Sequence, residues 1–146
     1  MSTTSWTVAG NWDGTGATVN EGTSTVTFDG TSGTQQVTSA SQSFYNLTLN
    51  NSGATAQLQD ALSVSGAMLI SAGTFDFNGS NVTTTGNFTV NNGTTTKFTN
   101  LAGRTITVGG NASLNGQSGN LLNMATASVH YWAVTGTLGA TYADIG

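Results

Sequence analysis

The residues able to do acid–base or metal chemistry are few and scattered. Six carboxylates stand at Asp13, Glu21, Asp29, Asp60, Asp76 and Asp144, beside one histidine, His130, and two permanent cations, Lys97 and Arg104. Cleaving an acidic glycan needs clustered carboxylates, often with calcium, and a basic group at the substrate. These acids are dispersed, and no two take equivalent places on adjacent units of the repeat described below. His130, in Val129-His130-Tyr131-Trp132, has no second histidine and no cysteine with which to share a metal. It reads as a strand residue facing solvent or a terminal groove. Lys97 invites the thought of an isopeptide bond to Asn or Asp, but no buried carboxylate is visible to catalyse one, so it reads as a solvated lysine. The chain is expected to be no enzyme and to hold no metal and no cofactor.

Composition narrows the class further. Thr, Gly, Ser and Asn make up just over half of the 146 residues, while charged residues are 5% and hydrophobic residues 36%. Disorder pairs low hydrophobicity with high net charge; here the net charge is only -4, and Val, Thr, Phe and Leu recur in alternation. Two cations cannot make a basic surface, which excludes nucleic acid as a partner. No apolar run approaches the roughly 18 residues of a membrane span, so no membrane insertion is expected. With no cysteine there is no disulfide framework. Thr and Val favour strands, whereas Gly and Asn interrupt every stretch long enough for a helix. The strongest helical candidate, Leu121 to Val129, is short. The fold class expected is all-β.

A repeat organises these strands. Asn46-Leu47-Thr48-Leu49-Asn50-Asn51 returns as Asn87-Phe88-Thr89-Val90-Asn91-Asn92 and as Asn111-Ala112-Ser113-Leu114-Asn115-Gly116. Ala67-Met68-Leu69-Ile70 is a weaker copy, Thr137-Leu138 continues the series, and Gly10-Asn11-Trp12 resembles an early one. A second element precedes the first, at Leu62-Ser63-Val64-Ser65-Gly66, Val82-Thr83-Thr84-Thr85-Gly86, Ile106-Thr107-Val108-Gly109-Gly110 and Val134-Thr135-Gly136. A third follows a glycine, at Val26-Thr27-Phe28-Asp29-Gly30, Phe77-Asn78-Gly79 and Phe98-Thr99-Asn100.

Units this small cannot bury an apolar face alone, but stacked units share one continuous core. The pattern predicts a right-handed parallel β-helix of about six rungs, each of 20–26 residues with roughly three short strands. It would form a single domain over residues 1–146, with an irregular first rung over about 1–45 and regular repeats over about 46–146. Asn50, Asn91 and Asn115 are expected at one set of corners, and Asp29, Asn78 and Asn100 at another. Amides stacked there at the strand spacing can form ladders, and Asn tolerates the left-handed backbone of tight corners. Thr83-Thr84-Thr85 and Thr94-Thr95-Thr96 suggest an ice-binding array, but the drifting period makes that face irregular. The Asn-x-Thr sequons, such as Asn46-Leu47-Thr48, are expected by chance in such a sequence.

The runs Val26-Thr27-Phe28-Asp29-Gly30, Gln35-Gln36-Val37 and Phe44-Tyr45-Asn46-Leu47-Thr48-Leu49-Asn50-Asn51 resemble repeats of very large bacterial secreted and surface-anchored proteins, the adhesin-like β-solenoids. The stretch from Trp132 to Tyr142-Ala143-Asp144-Ile145 also resembles a rung of that kind. The resemblance implies a structural or adhesive role outside the cell or at its surface, with no catalytic residues carried over.

Aromatic residues gather toward the two ends of the sequence: Trp6 and Trp12 in the first unit, Tyr131, Trp132 and Tyr142 in the last. They are expected to close the core or to meet a neighbour, and exposed rings can also stack on sugars. No signal peptide is apparent at the start and no cap at the finish. Three readings follow. The first is a stiff stalk segment of a surface protein. The second is a subunit that stacks end to end on copies of itself into a filament or fibre. The third is a β-helix that binds or cleaves carbohydrate, with a glycan or cell-surface molecule as ligand.

Overall fold

A computed structural model describes residues 4–91, 97–118, 121–123 and 129–144. Among them every segment of regular structure is a strand, and every strand pair is parallel. Numbered in chain order, the strands fall on three faces. The first face stacks β1 (Ser5–Val8), β3 (Thr25–Phe28), the start of β6 (Asn46–Leu58), the start of β8 (Met68–Asp76), β10 (Phe88–Val90), β13 (Ala112–Asn115) and β16 (Leu138–Thr141). The second stacks β2 (Trp12–Asp13), β4 (Thr34–Thr38), the far ends of β6 and β8, β11 (Lys97–Thr99), β14 (Leu122–Asn123) and β17 (Ala143–Asp144). The third is a separate five-stranded sheet of β5 (Ser43–Phe44), β7 (Leu62–Val64), β9 (Val82–Thr84), β12 (Thr105–Val108) and β15 (Tyr131–Val134). The chain is a parallel β-solenoid of about five turns, with five strands on the third face and seven strand segments on each of the others.

Register explains why the turns stack. On the first face Trp6 pairs with Val26, Val26 with Leu47, Leu47 with Met68, Met68 with Phe88, Phe88 with Ala112 and Ala112 with Leu138. Two residues on, Val8, Phe28, Leu49, Ile70, Val90 and Leu114 form a second column by the same pairings. Alternation along each strand turns these residues inward and the intervening Thr and Ser outward. The same holds on the third face, where Leu62, Val82, Ile106 and Trp132 stack. Aromatic rings fill the wider parts of the core. Phe75, Phe77 and Phe98 meet with centroids 4.6–6.1 Å apart, and Phe88 bridges Phe98 and Trp132 at 6.3 and 5.5 Å.

Two sequence assignments change. Val26-Thr27-Phe28 belongs to the first face, paired with Leu47-Thr48-Leu49, and not with the segments around Phe77 and Phe98. Gly10-Asn11-Trp12 is no early copy of the Asn46 motif, because Trp12 pairs with Val37 on the second face. In consequence the first 45 residues hold two levels of the first two faces, β1–β2 and β3–β4, spaced like those that follow. What is irregular is the third face, which among the described residues has no strand before β5. Of the helical candidate at Leu121 to Val129, Leu122–Asn123 is strand and 124–128 lie outside the described residues.

Phe88, on the first face, joins the aromatic packing of all three faces. It is fully buried, and its ring touches neighbours on two other faces. Phe88→Ala should lower stability by about 3–5 kcal/mol. Chemical denaturation followed by Trp132 fluorescence checks this, since the ring against which that indole rests is removed.

Candidate functional site

The corners carry the polar chemistry that the strands do not. Between the third and first faces, Asn46 Oδ1 accepts the backbone N–H of Ala67 at 2.9 Å, 21 residues on. Asn87 Oδ1 accepts from Asn111 N at 2.9 Å, and Asn111 Oδ1 from Thr137 N at 3.0 Å. Each amide oxygen thus occupies the space above its own corner. The residue preceding each recipient is glycine for that reason: a Cβ on Gly66 would meet Asn46 Oδ1 at 2.5 Å, and on Gly110 or Gly136 it would strike Asn87 or Asn111 in the same way. One place in this series carries no amide. Ala67 lies in register with Asn46 and Asn87, so it has no side-chain oxygen to offer the next level.

The expected corner residues are distributed differently. Val90 pairs with Leu114, so Asn91 and Asn115 share a corner, with Asn115 paired to Thr141. Asn50 pairs with Ala72 across a register shift. Asp29 follows Phe28, which pairs with Leu49, and therefore shares the corner of Asn50 and not that of Asn78 and Asn100. Asn78 and Asn100 do adopt left-handed backbone, at φ 45° and 54°. Their amides reach other partners: Asn78 Nδ2 donates to Leu58 O at 2.9 Å and Asn100 Nδ2 to Asp76 Oδ1 at 2.7 Å.

Asp76 is the most enclosed carboxylate among the described residues. It is 7% exposed, and three donors hold it: Asn78 N at 2.9 Å, Asn100 Nδ2 at 2.7 Å and Gln57 Nε2 at 2.8 Å. Gln59 Nε2 in turn donates to Gln57 Oε1 at 3.0 Å. The carboxylate links three levels of the second face and leaves little capacity for a substrate. Asp60 works similarly, accepting from Ser39 N at 2.8 Å and Ala40 N at 2.6 Å, where Ala40 and Ser41 turn through positive φ. Asp13 is fully exposed, and the Thr15 side chain and backbone N–H hold its carboxyl below the ordinary aspartate range.

The remaining sequence candidates fall apart from one another. His130 is half-buried just ahead of β15, Lys97 is exposed on β11, and Arg104 donates to Gly79 O at 2.8 Å. Among the described residues no three His, Asp or Glu side chains come together as a metal site. Thr83-Thr84-Thr85 do not form one array, because Thr84 points inward and donates to Gly66 O at 2.8 Å. Thr94-Thr95-Thr96 lie outside the described residues.

A buried amide pair escaped the sequence reading. Asn51 Nδ2 donates to Gln35 Oε1 at 2.7 Å, and Gln35 Nε2 donates to Val8 O at 2.6 Å and to Gly10 O. The doublets Asn50-Asn51 and Gln35-Gln36 were the available signal, since alternation sends one member of each inward.

The aromatic residues divide by role. Trp12 packs on Phe44 at 5.2 Å and on Phe28 at 6.4 Å, and Trp132 packs on Phe88, so these two indoles close the core. Trp6, Tyr131 and Tyr142 are more than half exposed on the outermost strands or beside them. Leu138 is 46% exposed although its column is buried from Val26 to Ala112. A cavity of about 590 Å³ opens at the end formed by β1 and β2, with Trp6, Trp12, Val19, Glu21, Ser24 and Val26 in its wall.

Comparison with protein-family models, with curated proteins and with solved structures returns no match. The chemistry of the chain therefore rests on its own geometry. Two substitutions test the corner assignments. Ala67→Asn supplies the missing amide oxygen above a glycine, Gly86, that leaves room for it; it should raise stability by about 0.5–1.5 kcal/mol in urea unfolding. Asp76→Asn replaces one accepting oxygen by an N–H₂ that faces the donors Gln57 Nε2, Asn78 N or Asn100 Nδ2. It should cost about 1–3 kcal/mol in the same measurement.

Proposed function

We propose that this chain is a non-catalytic structural module, a stiff stalk segment of a bacterial protein displayed outside the cell. The observation that supports this most is the unbroken register of its inward columns, from Trp6 to Leu138 on the first face and from Phe44 to Val134 on the third. A core continuous along one axis resists bending, because bending must open strand ladders on one side. Polar side chains serve this same end, tying neighbouring levels together through the buried Asp76 and, nearer the surface, through Asp60, Asn46, Asn87 and Asn111.

A second reading, an end-to-end filament subunit, is favoured by one observation. The outermost strands β1 and β16 carry exposed apolar members of the same column, Trp6 and Leu138. A copy placed in head-to-tail order would add its β1 above β16 as the next parallel strand.

Light scattering across a concentration series, with negative-stain electron microscopy of the same samples, separates the two. A stalk segment gives a monomer at every concentration and short particles in the images. Filaments of uniform width that grow with concentration would replace the stalk reading with the second one.

A further inference from the structure

Among the described residues the third face has no strand at the β1–β2 end, where the cavity lies. The first two faces begin at Ser5 and Trp12, but the third begins only at Ser43. Residues 14–24 pass between β2 and β3 without forming a strand, and are tied back by Val19 N to Gln42 Oε1 at 3.0 Å and by Glu21 Oε1, which accepts from Ser65 Oγ at 2.8 Å. Between this segment and the sheet lies a space of about 590 Å³. Pockets for small organic ligands span about 300–1,000 Å³, so it is large enough for one or two sugar rings.

Its wall has the chemistry of a saccharide site. Trp6 and Trp12 bring aromatic surface, and Trp6 is 56% exposed although its column neighbour Val26 is buried. The flat C–H face of a pyranose stacks on such a ring, which is apolar in its body and polar at one end. Thr18 and Asn20 supply neutral donors and acceptors around it, and Ser24, whose hydroxyl donates to Glu21 O at 2.7 Å, supplies an acceptor. Two further atoms on wall residues have no protein partner: Trp12 Nε1, which can only donate, and Glu21 Oε2, which as carboxylate can only accept. Both are shielded from solvent, so neither lines the open part of the cavity as the side chains stand. A hydroxyl group, being donor and acceptor at once, can serve either. No lysine or arginine is among the described wall residues, so an anionic sugar would meet only Glu21. A quaternary ammonium ion could lie between the two tryptophans and Glu21, but its charged head has neither donor nor acceptor for Thr18 and Asn20.

We infer that this cavity binds a neutral saccharide, stacked on Trp6 and hydrogen-bonded by the polar residues of segment 14–24. The inference does not rest on the stalk reading, since it concerns one end of the solenoid whatever the solenoid supports.

The test is a titration of the full chain with cellobiose, lactose and N,N′-diacetylchitobiose, followed by tryptophan fluorescence and by the indole N–H signals in NMR. Choline serves as the cationic probe, and a microarray of neutral and acidic glycans widens the search. Saturable binding of at least one neutral saccharide is expected, with shifts of the Trp6 and Trp12 indole signals. Trp6→Ala should weaken it about tenfold or more. Because Trp6 is largely exposed on an edge strand, the variant should keep its circular dichroism spectrum. A Thr18→Ala, Asn20→Ala double variant provides a second check away from the sheet, and it should also bind more weakly. The inference is overturned if no neutral saccharide binds, if only choline or acidic glycans bind, or if folded Trp6→Ala binds as tightly as the original chain.

Discussion

One parallel register governs this molecule. Once Leu47 faces Met68, and Met68 faces Phe88, every other inward residue is carried to its place, because the side-chain period of a strand is two. A slip of one residue would turn Leu47, Leu49, Phe88 and Val90 outward and bring Thr48 and Thr89 in, exchanging apolar contacts for polar ones. The register therefore needs little help from charge, and a chain with so few ionic groups can still specify one stacking. The aromatic clusters follow from it: Phe75 meets Phe98 because their strands pair, and Phe77 joins them two residues further on.

The corners make the register exact along the axis. Between the third and first faces, at Asn46, Asn87 and Asn111, a side-chain oxygen from one level takes the backbone N–H of the next, and a glycine leaves space for it. This pairs a donor that a turn would otherwise leave to water. It also ties level to level at points where the sheet ladder is interrupted. Elsewhere the same need is met in other ways. Gly73, at φ +91°, lets its level pass close to the Asn51 carbonyl, and Asp60 holds the left-handed turn at Ala40 and Ser41.

Much of this was legible in the sequence, and the failures have a common cause. The starts at Asn46, Ala67, Asn87, Asn111 and Thr137 proved to be true register partners, as did the set at Leu62, Val82 and Ile106. Those segments recur with similar neighbours on both sides. Alternation, by contrast, carries no label for the face it belongs to. Val26-Thr27-Phe28-Asp29-Gly30 looks like the third element because it ends in an acidic or amide residue and glycine, yet it stacks under Leu47. The motif Asn-apolar-Thr-apolar-Asn has an amide at either end, and sequence alone cannot tell which one caps. The structure uses the leading Asn46, Asn87 and Asn111. The buried Gln35–Asn51 pair and the cavity beside Trp6 depend on contacts between levels, and the absence of a third-face strand beside that cavity, among the described residues, leaves no mark of its own in residue types.

The direction of the ladders has a mechanical consequence. The strands run around the axis, so their backbone hydrogen bonds lie along it, and a pull on the two termini loads successive ladders in series. Such an arrangement peels instead of shearing, one coil after another. Each coil holds 20 to 26 residues, which fully drawn out supply about 65–95 Å of chain. The molecule would then act as a spring of discrete steps under tension, lengthening by many times the roughly 4.8 Å that each coil occupies when folded.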